Sequence, residues 1–80
     1  MEKIALISVI LENPGCTQRE FNDVVSEFKE IVKGRMGLPF DEEDIAVISL
    51  TVVSCEDIIN KMSEKLGAIN GVSVNTLISK

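Results

Sequence analysis

The chain has 80 residues, of which 45% are hydrophobic and 26% are charged. This length predicts one domain, and this composition excludes a disordered chain. The formal net charge of −5 argues against a basic nucleic-acid-binding surface, and the chain has no histidine, the commonest general base and metal ligand. We therefore expect no direct nucleic-acid binding by the chain alone, no enzymatic activity and no metal site.

An apolar run over residues 4–11 is too short to span a bilayer, and no cleavable signal is recognisable. We expect a cytoplasmic protein without a membrane segment. Because the cytosol keeps thiols reduced, the two cysteines are expected to be free.

The first half of the chain predicts a strand, a helix and a second strand. Ile, Leu and Val fill residues 3–12, and Asn13-Pro14-Gly15 ends that strand. Thr17-Gln18-Arg19-Glu20 fits a capping box, and apolar residues then recur at helical spacing, which predicts a helix from about 17 to 31. Two glycines and a proline within residues 33–40 predict a short edge strand.

The second half follows the same plan. After a connector of four acids, residues 45–53 are almost continuously apolar, which predicts a central strand. Ser54 is the expected cap of the next helix, whose first turn is acidic. Gly67 and Asn70-Gly71 tolerate left-handed geometry at its exit, and residues 72–79 alternate as a last strand should.

Each half begins with a similar strand, because Ala5-Leu6-Ile7-Ser8 returns as Ala46-Val47-Ile48-Ser49. Two strand-helix-strand units in so short a chain predict an α+β, ferredoxin-like βαββαβ fold. We expect a two-layer sandwich of a four-stranded antiparallel sheet with two helices on one face, and residues 1–80 as a single domain.

Strand alternation divides the two central strands between two faces of the sheet. One set of residues should face the helices: Ala5, Ile7, Val9, Leu11, Ala46, Ile48, Leu50 and Val52. The opposite set remains apolar: Ile4, Leu6, Ser8, Ile10, Ile45, Val47, Ser49 and Thr51. Such a face is unsuited to water, so we expect a homodimer or tetramer formed through the sheet.

The cysteines follow the first and third strands. If these strands were parallel neighbours, Cys16 and Cys55 would lie close together, each at a helix N-terminus that favours a thiolate. A thiol-based redox or metal sensor is one interpretation, although two sulfurs are too few for a structural zinc site. The alternative is that both are ordinary residues at helix starts.

The turn after the first strand could also bind a ligand. A glycine at position 15 lets a ligand approach the backbone, and the amides that follow suit an anion or carboxylate. The candidate ligand-binding residues are Asn13, Gly15, Cys16, Thr17, Arg35, Ser54 and Cys55, with the Arg35 to Pro39 segment supplied by a partner subunit. The alternative is a plain connector, and no cofactor is predicted.

Two resemblances extend this interpretation. The Pro14-Gly15 turn resembles that of ACT domains, ferredoxin-like modules that sense amino acids, often at a dimer interface. Further on, the chain shows Arg35-x-Gly37-x-Pro39, then Glu43, Ala46, Ile48 and Leu50, and finally Lys65-Leu66-Gly67-x-Ile69-x-Gly71-Val72-x-Val74-x-Thr76. This pattern resembles small stand-alone regulators of the iron-only hydrogenase system, whose fold is similar to ACT domains and to the C-terminal domain of nickel-responsive repressors.

The second resemblance implies a regulatory module, transcriptional or otherwise, that binds a small effector such as an amino acid, or another protein. The histidines and the DNA-binding segment of nickel-responsive repressors are both missing, which argues against nickel sensing and autonomous repression. Two alternatives remain open at this point. One is a structural oligomerisation module without a ligand, and the other is the thiol-based sensor.

Overall fold

A computed structural model describes residues 1–80 and shows four strands and two helices. The elements in chain order are β1 (Lys3–Glu12), α1 (Pro14–Glu27), β2 (Val32–Phe40), a 3₁₀ turn (Asp41–Glu43), β3 (Ile45–Ser54), α2 (Glu56–Gly67) and β4 (Val72–Ile78). This order confirms the predicted ferredoxin-like βαββαβ fold.

The four strands form one sheet in the order β2-β3-β1-β4, and all three neighbouring pairs are antiparallel. The central position of β3 and the edge position of β2 were both predicted correctly. The expectation that the first and third strands run parallel was wrong. Since β3 pairs in the antiparallel sense with both β2 and β1, it is β1 and β2 that run parallel, with β3 inserted between them.

The core lies between the sheet and the two helices. Strand alternation predicted its sheet side correctly: Ala5, Ile7, Val9, Leu11, Ile48, Leu50 and Val52 are buried, and Ala46 packs against them. The other buried apolar residues are Phe21 and Val25 of α1, Ile59, Met62 and Leu66 of α2, and Ile69. The apolar residues that recur at every second position in the strands and at helical spacing in α1 and α2 pack into a single cluster.

Both helix starts differ from the prediction. Pro14 is the first residue of α1, and Asn13 precedes it in the left-handed region with φ 52°. The Thr17 hydroxyl donates backwards to the carbonyl oxygens of Glu12, at 3.1 Å, and Asn13, at 3.3 Å. The capping box was therefore wrong, because Thr17 lies inside the helix and secures its first turn to the end of β1.

The second helix is preceded by Cys55, while Ser54 is the last residue of β3 and is buried. Ser54 therefore is not the cap. The predicted acidic first turn is confirmed. Gly71 takes the left-handed geometry expected at the helix exit, with φ 84°, whereas Gly67 simply ends α2. Neither helix has the length or apolar composition needed to cross a membrane.

Candidate functional site

Three strands meet at the end of the sheet where α1 begins. The register pairs Glu12, the last residue of β1, with Ile45, the first of β3, and pairs Phe40, the last of β2, with the same residue. Asn13 to Thr17 follow directly, so the predicted binding turn lies at this end.

Most backbone amides in the first turn of α1 are already hydrogen-bonded to carbonyl groups of the same chain. The Asn13 carbonyl accepts hydrogen bonds from the amides of Cys16, at 2.8 Å, and Thr17, at 3.1 Å, and the Asn13 amide donates to the Asp44 carbonyl at 3.0 Å. The amides expected to bind an anion are thus already paired. Gly15, which is exposed, contributes the one first-turn amide without a backbone acceptor.

Ser54 and Cys55 lie at the opposite end of the sheet. The register places Ser54 beside Lys3, at the start of β1, whereas Cys16 follows the end of β1. A strand of 10 residues spans roughly 30 Å, and a disulfide requires Cα atoms within about 7 Å. The two exposed cysteines therefore are not neighbours, and the prediction of a shared site failed because it assumed parallel strands.

A groove of about 360 Å³ lies between the start of α1 and the inner face of β2, the face on the helix side. It exists because the helices pack mainly on β1, β3 and β4. The residues that line it are Pro14, Gln18, Arg35, Gly37, Leu38, Pro39, Phe40, Asp41, Asp44, Ile45, Ala46 and Ile48. Gly37 leaves space here, since a Cβ at this position would meet only the Ile48 side chain, at 3.9 Å.

The groove has opposite charges along its length. Arg35 comes from the same chain as the α1 turn, so no partner subunit is needed to bring the two together. Its Nη2 donates to Asn22 Oδ1 at 2.8 Å, and its guanidinium lies 5.4 Å from the centre of the Phe21 ring. These contacts hold the side chain in place and leave further N–H groups for a ligand. Asp41 and Asp44 follow the end of β2 and supply carboxylates to the groove.

A second hollow lies on the other side of the α1 start and has a volume of about 460 Å³. It is lined by Glu12, Asn13, Cys16, Thr17, Glu20, Asn70 and Gly71. Two carboxylates and no cation line it, so it is poorly suited to a carboxylate ligand. Of the predicted ligand residues, Asn13, Cys16 and Thr17 line this hollow, whereas Arg35 lines the groove.

Gln18 was not part of the predicted site, and Gly37 and Pro39 were predicted only within a segment supplied by a partner subunit. A signal for this part of the groove was present in β2, whose inward positions carry Arg35, Gly37 and Pro39 where β1 and β3 carry aliphatic residues. A strand with such small or polar inward residues cannot complete a core, so it leaves open space beneath the helix layer.

Comparisons with known proteins agree with this structure. A model of the TM1266-like family, described as "Iron-only hydrogenase system regulator, putative", matches residues 3–76. No match is found among curated proteins. Among solved structures, the uncharacterized protein TM1266 from Thermotoga maritima is similar, with a TM-score of 0.95, 31% sequence identity and 100% of both chains covered. The resemblance seen in the residue pattern is confirmed, and the chain belongs to the TM1266-like family.

Proposed function

We propose that this chain is an effector-binding regulatory module of the iron-only hydrogenase system. Its effector is a small amphipathic carboxylate, such as an amino acid, and its site is the groove between α1 and β2. A volume of about 360 Å³ lies within the range of small-molecule sites.

The observation that carries this proposal is the Arg35 side chain, which is hydrogen-bonded to Asn22 and lines the same groove as the uncharged residues Gly37 and Ile48. A guanidinium already held by Asn22 and Phe21 can bind a carboxylate through its planar N–H groups with little loss of side-chain freedom. The space left by Gly37, next to Ile48, accepts the apolar part of the effector.

The regulatory output acts through another protein rather than through direct contact with DNA, because a net charge of −5 repels the phosphate backbone. A transcriptional effect is then exerted by the partner. Both cysteines are free and exposed, which suits the reducing conditions of the cytoplasm.

The test is a thermal-shift screen of the reduced protein against amino acids, other small carboxylates and nucleotides. A ligand at about 100 times its dissociation constant adds about 2.7 kcal/mol of stability, which corresponds to about 10 °C or more for a domain of this size. The effective compound is then tested on Gly37→Val, which fills the space next to Ile48, and on Arg35→Gln. Arg19→Gln is the matched control, because it removes the same charge from α1 outside the groove.

A carboxylate-dependent shift that both groove variants lose and Arg19→Gln keeps supports the proposal. A shift that the groove variants retain places the effector elsewhere. Absence of a shift with every compound contradicts effector binding.

A second candidate is a structural oligomerisation module without a small ligand, which is favoured by the apolar residues exposed on the sheet. The thiol-based sensor has less support, since the two cysteines of one chain lie at opposite ends of the sheet. Such a sensor would have to join cysteines of different chains.

A further inference from the structure

The face of the sheet that points away from the helices, here called the outer face, is largely uncharged. Its large hydrophobic side chains are 41% to 73% exposed: Ile4, Leu6, Ile10, Met36, Leu38, Phe40 and Leu77. The other outer-face positions in these strands are Ser8, Glu12, Gly34, Ile45, Val47, Ser49, Thr51, Val53, Ser73 and Asn75. Glu12 is the one charged residue among them, and it lies at the end of β1. Lys33, an exposed residue of β2, is left unpaired by a β-bulge between Val32 and Gly34, at the margin of this face.

The outer face is large enough for a stable interface. Four strands at about 4.8 Å spacing, with 7 to 10 residues at about 3.3 Å each, cover on the order of 500 Å² in projection. Two such faces in contact bury on the order of 1,000 Å², the area that separates biological interfaces from crystal contacts.

The register also makes the outer face complementary to itself. Three rows cross all four strands from β2 to β4: Leu38-Val47-Ile10-Ser73, Met36-Ser49-Ser8-Asn75 and Gly34-Thr51-Leu6-Leu77. In each row, one edge strand carries a large side chain and the other carries a smaller one. A hollow of about 260 Å³ lies beside β1 and β4, around Ser8 and Ser73.

We propose that a second copy of this chain covers the outer face, related by a two-fold axis that runs along the strands between β3 and β1. This rotation places β2 of one copy over β4 of the other and keeps each row opposite itself. Leu38 then lies against Ser73 of the partner subunit, in the hollow, and Leu77 of the partner subunit lies over Gly34. Two sheets stacked about 10 Å apart interdigitate in this way.

The interface and the groove share the residues Leu38, Phe40 and Ile45, but Arg35 and Gly37 lie on the opposite side of β2 from the outer face. The groove opens on the helix side of β2, so a dimer formed through the outer face leaves Arg35 and Gly37 accessible. This inference therefore does not depend on effector binding, and its test has a different readout.

The decisive variant is Gly34→Leu, measured by sedimentation velocity over about 1–100 µM. Within one chain a Cβ at Gly34 meets only Thr51, at 3.9 Å, so the single chain tolerates the change, which circular dichroism verifies. In the proposed dimer the new side chain collides with Leu77 of the partner subunit. We expect the wild-type chain to be dimeric and Gly34→Leu to raise the dissociation constant by about tenfold or more.

Two further variants test the proposed contact between Gly34 and Leu77 of the partner subunit. Gly34→Leu combined with Leu77→Ala should recover the dimer, because the smaller residue makes room for the larger one. Gly67→Leu is the matched control, since it adds the same side chain in open space at the end of α2. Sedimentation of the wild-type chain as a monomer at about 100 µM would overturn the proposal, as would an oligomer that Gly34→Leu leaves unchanged.

Discussion

Gly71 is the residue whose identity the fold constrains most directly. Its φ of 84° is unfavourable for any residue with a Cβ. A Cβ there would also lie 3.1 Å from Thr17 Cγ2 and 3.4 Å from the Glu12 carbonyl oxygen. Since the Gly71 carbonyl accepts the Glu12 amide at 2.8 Å, the backbone cannot easily move away.

Changing Gly71 to alanine should therefore lower the free energy of unfolding by about 1–2 kcal/mol. In a domain of this size, each kcal/mol corresponds to about 4–8 °C in melting temperature, which calorimetry measures. Gly67→Ala is the control, because Gly67 has helical geometry and open space around it. We expect it to raise stability by about 0.5 kcal/mol, and a loss equal to that of Gly71→Ala would contradict this account.

At the scale of the elements, the start of α1 differs most from the sequence prediction. Asn13 occupies the left-handed region before Pro14, and its side chain makes no capping hydrogen bond. Glu20, which the capping box paired with Thr17, is exposed within the helix. The structure therefore predicts that Asn13 contributes to the stability of the helix start, whereas the capping box predicts that Glu20 does.

Replacing Asn13 with alanine should cost about 1–2 kcal/mol, because alanine resists the left-handed conformation, whereas Asn13→Gly should be tolerated. Glu20→Ala should change the free energy of unfolding by less than about 0.5 kcal/mol. Urea unfolding of the three variants measures these differences. A large loss in Glu20→Ala would restore the capping box.

The elements and the two faces of the sheet could be predicted because alternation in β1 and β3 reports which side chains point inward. The helix start could not, since Pro14 and Thr17 both suit a helix N-terminus. Which of the two residues begins the helix depends on the hydrogen bond from the Thr17 hydroxyl to the Glu12 carbonyl, and the end of β1 determines that contact. The predicted antiparallel sheet already required neighbouring strands β1 and β3 to run antiparallel, so the expectation that Cys16 and Cys55 lie close together was inconsistent with the predicted fold.

Arg35 was predicted as a ligand residue supplied by a partner subunit, but its contacts within its own chain were not predicted. Asn22 and Phe21 lie on α1, and only the packing of the helix next to β2 brings them to the guanidinium. The groove likewise depends on what the helices leave uncovered, which no local pattern reports.

For the whole molecule, the antiparallel pairing of β1 and β3 separates the two thiols by the length of the sheet. Oxidation of the native protein with diamide should therefore yield no internally bridged monomer, only reduced chains and chains joined through Cys16 or Cys55. Non-reducing electrophoresis distinguishes these species. Oxidation in urea is the control, since an unfolded chain can form the internal bridge, and such a bridge under native conditions would contradict the topology.

The sheet order also determines when the chain can fold during its synthesis. Each of the three strand pairings includes β3 or β4, and β2 pairs with β3 alone. While the ribosome is still making residues 1–44, β1 and β2 have no partner, and only α1 can form. Folding must await the emergence of Ile45–Ser54, and until then the apolar strand β1 remains open to association with other nascent chains.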